Sequence, residues 1–297
     1  MSLNNNNDKT EYINKIKLHP VNILDGVEEI RQDFEERLEC GDTTYGIEIL
    51  DDFVQTIRRG SITFILARPN CGKSLMGQRI AVHLAQQGRK VLICSCEMGA
   101  GLLMERQLLN LTGVKSYELK DMYEHHRDMA NKIMDSVIYD DRYNYLRNID
   151  ICETGGATCE DIMKMLDCFD EYDYIVVDYI QRIRGTGTEY EVITNASREF
   201  QTYARKTRKS LIVCSQAKRP ATANSKQAPN TDGGSLGKGS GSIEEDGDVG
   251  LLLSEIEEEG SQYILATLFK NRFGSKNITY KYYLDGRLNF NLVRKSE

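Results

Sequence analysis

Apolar residues along the chain follow two rhythms. In SITFIL from Ser61, KVLICS from Lys90, NIDIC from Asn148, YIVVDY from Tyr174 and SLIVCS from Ser210, apolar residues dominate short runs. Short apolar runs of this kind, set between helical patterns, read as strands. Between them the apolar residues recur at helical spacing, first near Leu75 to Gln87 and again after KVLICS and after NIDIC. Strand and helix in regular alternation predict an α/β fold with a mainly parallel central sheet flanked by helices. Further β-like runs, including QYILATLF and NITYKYYL, come late in the chain.

Two segments stand outside that rhythm. The first twenty or so residues are polar and Asn-rich, which predicts a tail. From Asp25 to Gly41 the spacing of Val27, Ile30, Phe34 and Leu38 predicts an amphipathic helix, with Asp25 and Glu28 as its capping box and Gly41 as its stop. That helix fits either packing on its own core or docking on a neighbouring subunit. Between Pro220 and Gly247 the chain turns to Ser, Gly, Asn and Lys, the composition of a functional or mobile loop. The expected organisation is therefore residues 1–42 as tail and linker helix, followed by one α/β domain over residues 43–297.

Composition narrows the class. With 40% hydrophobic and 28% charged residues the chain can bury a core and is not a disordered polymer. No apolar run reaches the length of a membrane span and the start lacks a secretory signal, so a cytoplasmic protein that does not enter membranes is expected. Eight scattered cysteines without a C-x-x-C pair are read as reduced thiols, and the four histidines form no ligand pattern. A net charge of -7 argues against coating nucleic acid with the whole surface, but leaves room for a local basic channel.

Directly after SITFIL come Ala67, Arg68, Pro69, Asn70, Cys71, Gly72, Lys73 and Ser74, and then the helix. In a G-x-x-x-x-G-K-[ST] loop the backbone N–H groups wrap phosphates, the lysine offsets terminal charge and the hydroxyl binds Mg²⁺. Here Ala67 stands where that pattern has its first glycine, and the preceding strand and following helix supply the context. Asp178 closes YIVVD, where it could hold Mg²⁺ or simply cap a turn. Glu97 follows KVLICS, where it could deprotonate the attacking water or sit at a helix start favoured by the dipole. Gln216 ends another strand, where an amide could sense a phosphate or merely mark the strand exit.

Taken in order, ARPNCGKS, CSCEM, YIVVDYIQ, CSQAKR, GSGSIEEDGDVG and FKNRFGS resemble the ATPase domain of DnaB-type replicative DNA helicases, from about Thr43 onward. Ala-Arg-Pro in the phosphate loop is typical of that family. The resemblance implies a RecA-like P-loop core that uses ATP and Mg²⁺. It also implies nucleotide contacts from Ala67 to Ser74, metal support from Ser74 and Asp178, Glu97 as catalytic base and Gln216 as sensor. Lys270 and Arg272 match the pair that reaches a neighbour's ATP, and the helix of residues 26–39 takes the place of a linker helix. A homo-hexamer follows from the same likeness, with single-stranded DNA in a central channel. Arg182, Arg184, Lys218, Arg219, Lys226 and Lys238 would be available to DNA phosphates. A helicase loader or primase is a further partner of the family. Complete bacterial members carry a helical domain before the linker, and the short arm here points to a shortened, phage or mobile-element relative. The implied activity is 5′ to 3′ unwinding; the alternative is a RecA-like DNA-binding or regulatory ATPase that does not unwind.

Overall fold

The computed structural model describes residues 22–217, 243 and 245–294. The chain divides into two units, Met1–Asp42 and Thr43–Glu297. In the first, a short 3-10 turn leads into helix α1 (Gly26–Cys40), one residue inside each expected limit. Val27, Ile30, Phe34 and Leu38, the stripe legible in the sequence, are 46%, 55%, 55% and 85% exposed.

The second unit is built on a nine-stranded sheet of order β3-β2-β4-β5-β1-β6-β7-β8-β9. The strands are β1 (Ile62–Ala67), β2 (Val91–Ser95), β3 (Ile149–Glu153), β4 (Tyr174–Asp178), β5 (Ser210–Gln216), β6 (Val249–Glu258), β7 (Ser261–Asn271), β8 (Ile278–Leu284) and β9 (Phe290–Arg294). From β3 to β6 every pairing is parallel, and β7 to β9 extend the sheet antiparallel. The expected mainly parallel sheet with flanking helices is thus present, and its antiparallel edge comes from the late β-like runs.

The continuous apolar runs have a direct cause. Successive strand residues face opposite sides, and both sides are covered. Ile65, Ala67, Val91, Ile93, Val176, Ile212 and Cys214 join one core, beneath helices α2 (Glu48–Phe53) and α3 (Lys73–Gln86). Their neighbours Phe64, Leu66, Leu92, Cys94, Val177, Leu211 and Val213 join the other. That second core is closed by α7 (Cys159–Leu166) and α8 (Glu189–Thr207) through Ile162, Leu166, Ile193 and Phe200. Helices α4 (Ala100–Thr112), α5 (Ser116–His125) and α6 (Arg127–Tyr139) fill the stretch between β2 and β3. Helix starts follow the side chains: Thr158 and Thr188 accept from the N–H groups of Asp161 and Glu191, whose carboxylates return the bond.

Parallel pairing sends the ends of β1, β2, β4 and β5 to the same edge of the sheet. Ala67 stands level with Gln216, and Ser95 with Asp178. The sheet thereby gathers four segments that are far apart in sequence. Among the described residues no helix is long and apolar enough to cross a membrane.

Candidate functional site

The loop from Arg68 to Gly72 joins β1 to α3, and its path needs left-handed backbone. Asn70 has φ 66° and Gly72, the residue that opens α3, has φ 79°. A Cβ on Gly72 would lie 3.1 Å from Cζ of Phe290 on β9, so any other residue would be strained by the left-handed backbone and would crowd that ring. No side chain caps α3 and its first turn carries no acidic residue. The first amides of the helix, which have no partner within it, and the positive end of its dipole remain available to an anion.

Lys73 and Ser74 begin α3, two residues earlier than the apolar pattern places the helix. Lys73 Nζ donates to Oδ1 of Asp178 at 2.8 Å, and Ser74 Oγ donates to the same oxygen at 3.0 Å. The ammonium also lies 3.7 Å from the centre of the Tyr179 ring. Asp178 is 6% exposed, so its charge is held by these partners in place of water. Cys214 of β5 approaches the Lys73 carbonyl from below, and burial pushes its thiol pKa well up. Burial likewise raises Cys71 within the loop. Neither sulfur is a thiolate under ordinary conditions.

Glu97 follows β2 in a turn fixed from both sides. Ser95 Oγ donates to the Met98 carbonyl, and Cys96 N donates to the Asp178 carbonyl at 2.8 Å. Glu97 itself is exposed, and its Oε1 accepts from Nη2 of Arg182 at 2.9 Å. Gln216 lies at the end of β5, where Gln181 Oε1 accepts from its N–H at 3.0 Å. The Gln181 amide donates to Ser215 Oγ at 2.8 Å and to the Gln216 carbonyl at 3.3 Å. The turn after β4 therefore clamps the end of β5.

These elements open on a cavity of 690 Å³, within the usual range for small-ligand sites. Ala67, Arg68, Pro69, Asn70, Gly72, Lys73, Ser74, Glu97 and Gln216 line it. The structure thus brings together most of the phosphate-loop positions, the Glu97 carboxylate and the Gln216 amide, with Asp178 beneath Lys73 and Ser74. Leu75 of α3 and residues the sequence did not single out, Met98, Leu102, Arg106, Tyr179, Leu284 and Leu288, complete the wall. Tyr179 could have been suspected as the neighbour of Asp178. Leu284 and Leu288 could not, because they come from the β8–β9 hairpin at the other end of the domain. Asn110 of α4 holds that hairpin, donating to the Arg287 carbonyl at 3.1 Å and to Asn289 Oδ1 at 2.6 Å.

Lys270 and Arg272 lie elsewhere, at the end of β7, and are absent from the cavity wall. Both donate to the Glu245 carbonyl, at 3.0 and 2.8 Å, and Arg272 also pairs with Asp248 at 3.0 Å. Arg182 and Arg184 are exposed on the segment after β4. Lys218, Arg219, Lys226 and Lys238 lie outside the described residues.

The donor set fits a nucleoside triphosphate with a hard cation. A helix start with free amides and an ammonium suit phosphates, and a serine hydroxyl beside a carboxylate suits Mg²⁺, which takes oxygen ligands.

Known proteins resemble this chain in sequence and in architecture. A probable plasmid replicative DNA helicase of Chlamydia muridarum is 29% identical over 242 residues, 77% of this chain and 50% of that protein. Among solved structures, an ATPase domain superposes with a TM-score of 0.73 at 20% identity, covering 90% of this chain and 99% of that one. A DnaB-like replicative helicase, whose structure was described together with its interactions with primase, gives a TM-score of 0.70 at 18% identity over 96% of this chain and 71% of that one. The chain spans about half the length of the curated plasmid helicases it matches. Residues 43–290 match the model of the DnaB-like helicase C-terminal domain, and the chain belongs to that family.

Proposed function

We propose that this chain is the motor of a DnaB-like replicative DNA helicase, hydrolysing ATP between subunits to move along single-stranded DNA and part a duplex. The observation that carries the reading is the convergence of the phosphate loop, Glu97 and Gln216 on one cavity at the carboxyl edge of the sheet, with Asp178 bonded to Lys73 and Ser74 beneath it, in a chain of that family.

The chemistry follows from the positions. The amides of residues 70–74 would wrap the phosphates, with Lys73 on the terminal ones. Ser74 and Asp178 would hold Mg²⁺, which when bound offsets phosphate charge. Lys73 now shares one oxygen of Asp178 with Ser74, so nucleotide would draw the ammonium off the carboxylate. Glu97 would take a proton from the attacking water. Gln216, tied to the segment after β4 through Gln181, would relay the state of the phosphates to the residues that follow it.

Assembly enters through the residues outside the cavity. Lys270 and Arg272, at the end of β7, would stabilise the transferring phosphoryl group in a neighbour's site. The exposed stripe of α1 supports a linker arm that docks on an adjacent subunit of a homo-hexamer, with residues 1–42 as arm and 43–297 as motor. Single-stranded DNA would pass through the central channel, near Arg182 and Arg184 and the basic residues 218, 219, 226 and 238. Polarity of 5′ to 3′, a loader or primase partner and a cytoplasmic setting complete the proposal on family grounds.

Steady-state ATP hydrolysis with and without single-stranded DNA tests it, run beside Glu97→Gln. Stimulation by DNA, with the variant nearly inactive yet still binding ATP, is the expected result. Hydrolysis that ignores DNA and survives Glu97→Gln would overturn it. Strand displacement from a forked duplex then separates a helicase from a RecA-like ATPase that does not unwind.

A further inference from the structure

The segment that leaves β4 returns Arg182 to the turn after β2. Its Nη2 lies 2.9 Å from Oε1 of Glu97, a residue 85 positions earlier in the chain. The same guanidinium carbon is 5.7 Å from the centre of the Tyr179 ring, and that ring holds the Lys73 ammonium at 3.7 Å. One aromatic side chain is therefore shared by the phosphate-loop cation and the cation that engages Glu97. The Arg182 and Glu97 side chains are 53% and 46% exposed.

Two physical consequences combine. A carboxylate oxygen that accepts a charge-assisted hydrogen bond from a guanidinium is held toward that cation and is not free to accept from a water. An ion pair this open to solvent is held weakly. A dense row of phosphates can compete for the guanidinium, because each contact also releases counterions from the strand. Arg184, two residues further along the same exposed segment, gives such a row a second cation.

We infer that Arg182 is a positioning residue with two exclusive partners, Glu97 and the phosphate backbone of single-stranded nucleic acid, so that strand binding releases Glu97 for the attacking water. The inference rests on the reading of Glu97 as the base. It explains how occupancy of a strand site is felt at the catalytic carboxylate without any movement of the sheet.

The experiment compares the full chain with Arg182→Leu, Arg182→Lys and Glu97→Gln in ATP hydrolysis, with and without oligothymidylate. Losing an exposed pair should raise the DNA-free kcat of Arg182→Leu about two- to five-fold with KM unchanged, and shrink the stimulation by the same factor. Arg182→Lys keeps the charge without the fork and should fall between. Added salt should raise the DNA-free rate of the wild type but not of Arg182→Leu. Binding of a fluorescent ATP analogue should stay at the wild-type level in Arg182→Leu, which separates release of Glu97 from misfolding. A DNA-free rate in Arg182→Leu that equals or falls below the wild type would overturn the inference while leaving the base assignment standing. Full hydrolysis by Glu97→Gln would remove that assignment, and the inference with it.

Discussion

Lys73 and Asp178 meet at 2.8 Å with only 12% and 8% of their side chains exposed. A buried carboxylate stripped of its cation is costly, so Lys73→Ala should lower stability by about 3 kcal/mol in urea titration. Adding Asp178→Asn should recover much of that loss, because the stranded charge goes with it. A nucleotide-binding titration should show binding weakened in both. Equal stability of Lys73→Ala and wild type would mean that Ser74 alone suffices to hold Asp178.

Gly72→Ala tests the phosphate loop's backbone. The new Cβ meets left-handed φ and the Phe290 ring together, a penalty of about 1 to 2 kcal/mol from conformation alone. Thermal unfolding should shift down and nucleotide affinity should fall, while Gly88→Ala, also at positive φ but with open space around it, should cost stability without touching affinity.

Arg272 provides a test of the interface reading. Its side chain is partly exposed, and Asp248 keeps the Ile62 N–H as a partner at 3.0 Å. Arg272→Ala should therefore cost about 1 kcal/mol or less of stability but reduce hydrolysis about 1,000-fold or more if it acts on a neighbour's nucleotide. Mixing it with Glu97→Gln should then restore part of the activity, since some interfaces regain both groups. A mixture no better than its parts would place Arg272 in its own subunit's architecture.

Acid should weaken the domain through His83. Burial, and then the charge of Arg79, hold its pKa below the ordinary value, and its ring packs under Gly46 while bonding Thr44 at 2.8 Å. The unfolded chain takes up the proton first, so this contribution is complete above about pH 6.5 and is lost as pH falls through the folded-state value. Melting temperature measured from pH 7.5 to 5 should fall less steeply in His83→Gln than in the wild type.

What the sequence disclosed, and what it concealed, divides along the range of the interactions. The strand runs were readable because both faces of β1, β2, β4 and β5 are buried, which leaves an unbroken apolar signature at Phe64 to Leu66 or Ile175 to Val177. Polar residues at strand exits, such as Asp178, Glu97 and Gln216, could be singled out because parallel strands must deliver them to one edge. Helix α3 starts two residues before its apolar pattern does, since Lys73 and Ser74 are polar and do not enter that pattern. Leu284 and Leu288 carry no local signal, because the wall they form depends on how a distant hairpin folds back. In sequence Arg182 is only a basic group available to phosphates; its hydrogen bond to Glu97, 85 positions away, is a product of the fold.

The hairpin also carries a consequence for how the molecule is made. Arg79, in the helix that follows the phosphate loop, donates at 2.8 Å to the carbonyl of Phe290, a residue 211 positions later. Contacts of that separation form slowly, because a long stretch of chain must be closed before they repay its entropy. A nascent chain displays its phosphate loop long before the strand behind it has been synthesised. During synthesis, then, the loop emerges without the Phe290 ring that packs beside Gly72 and the carbonyl that receives Arg79, and both arrive only with β9.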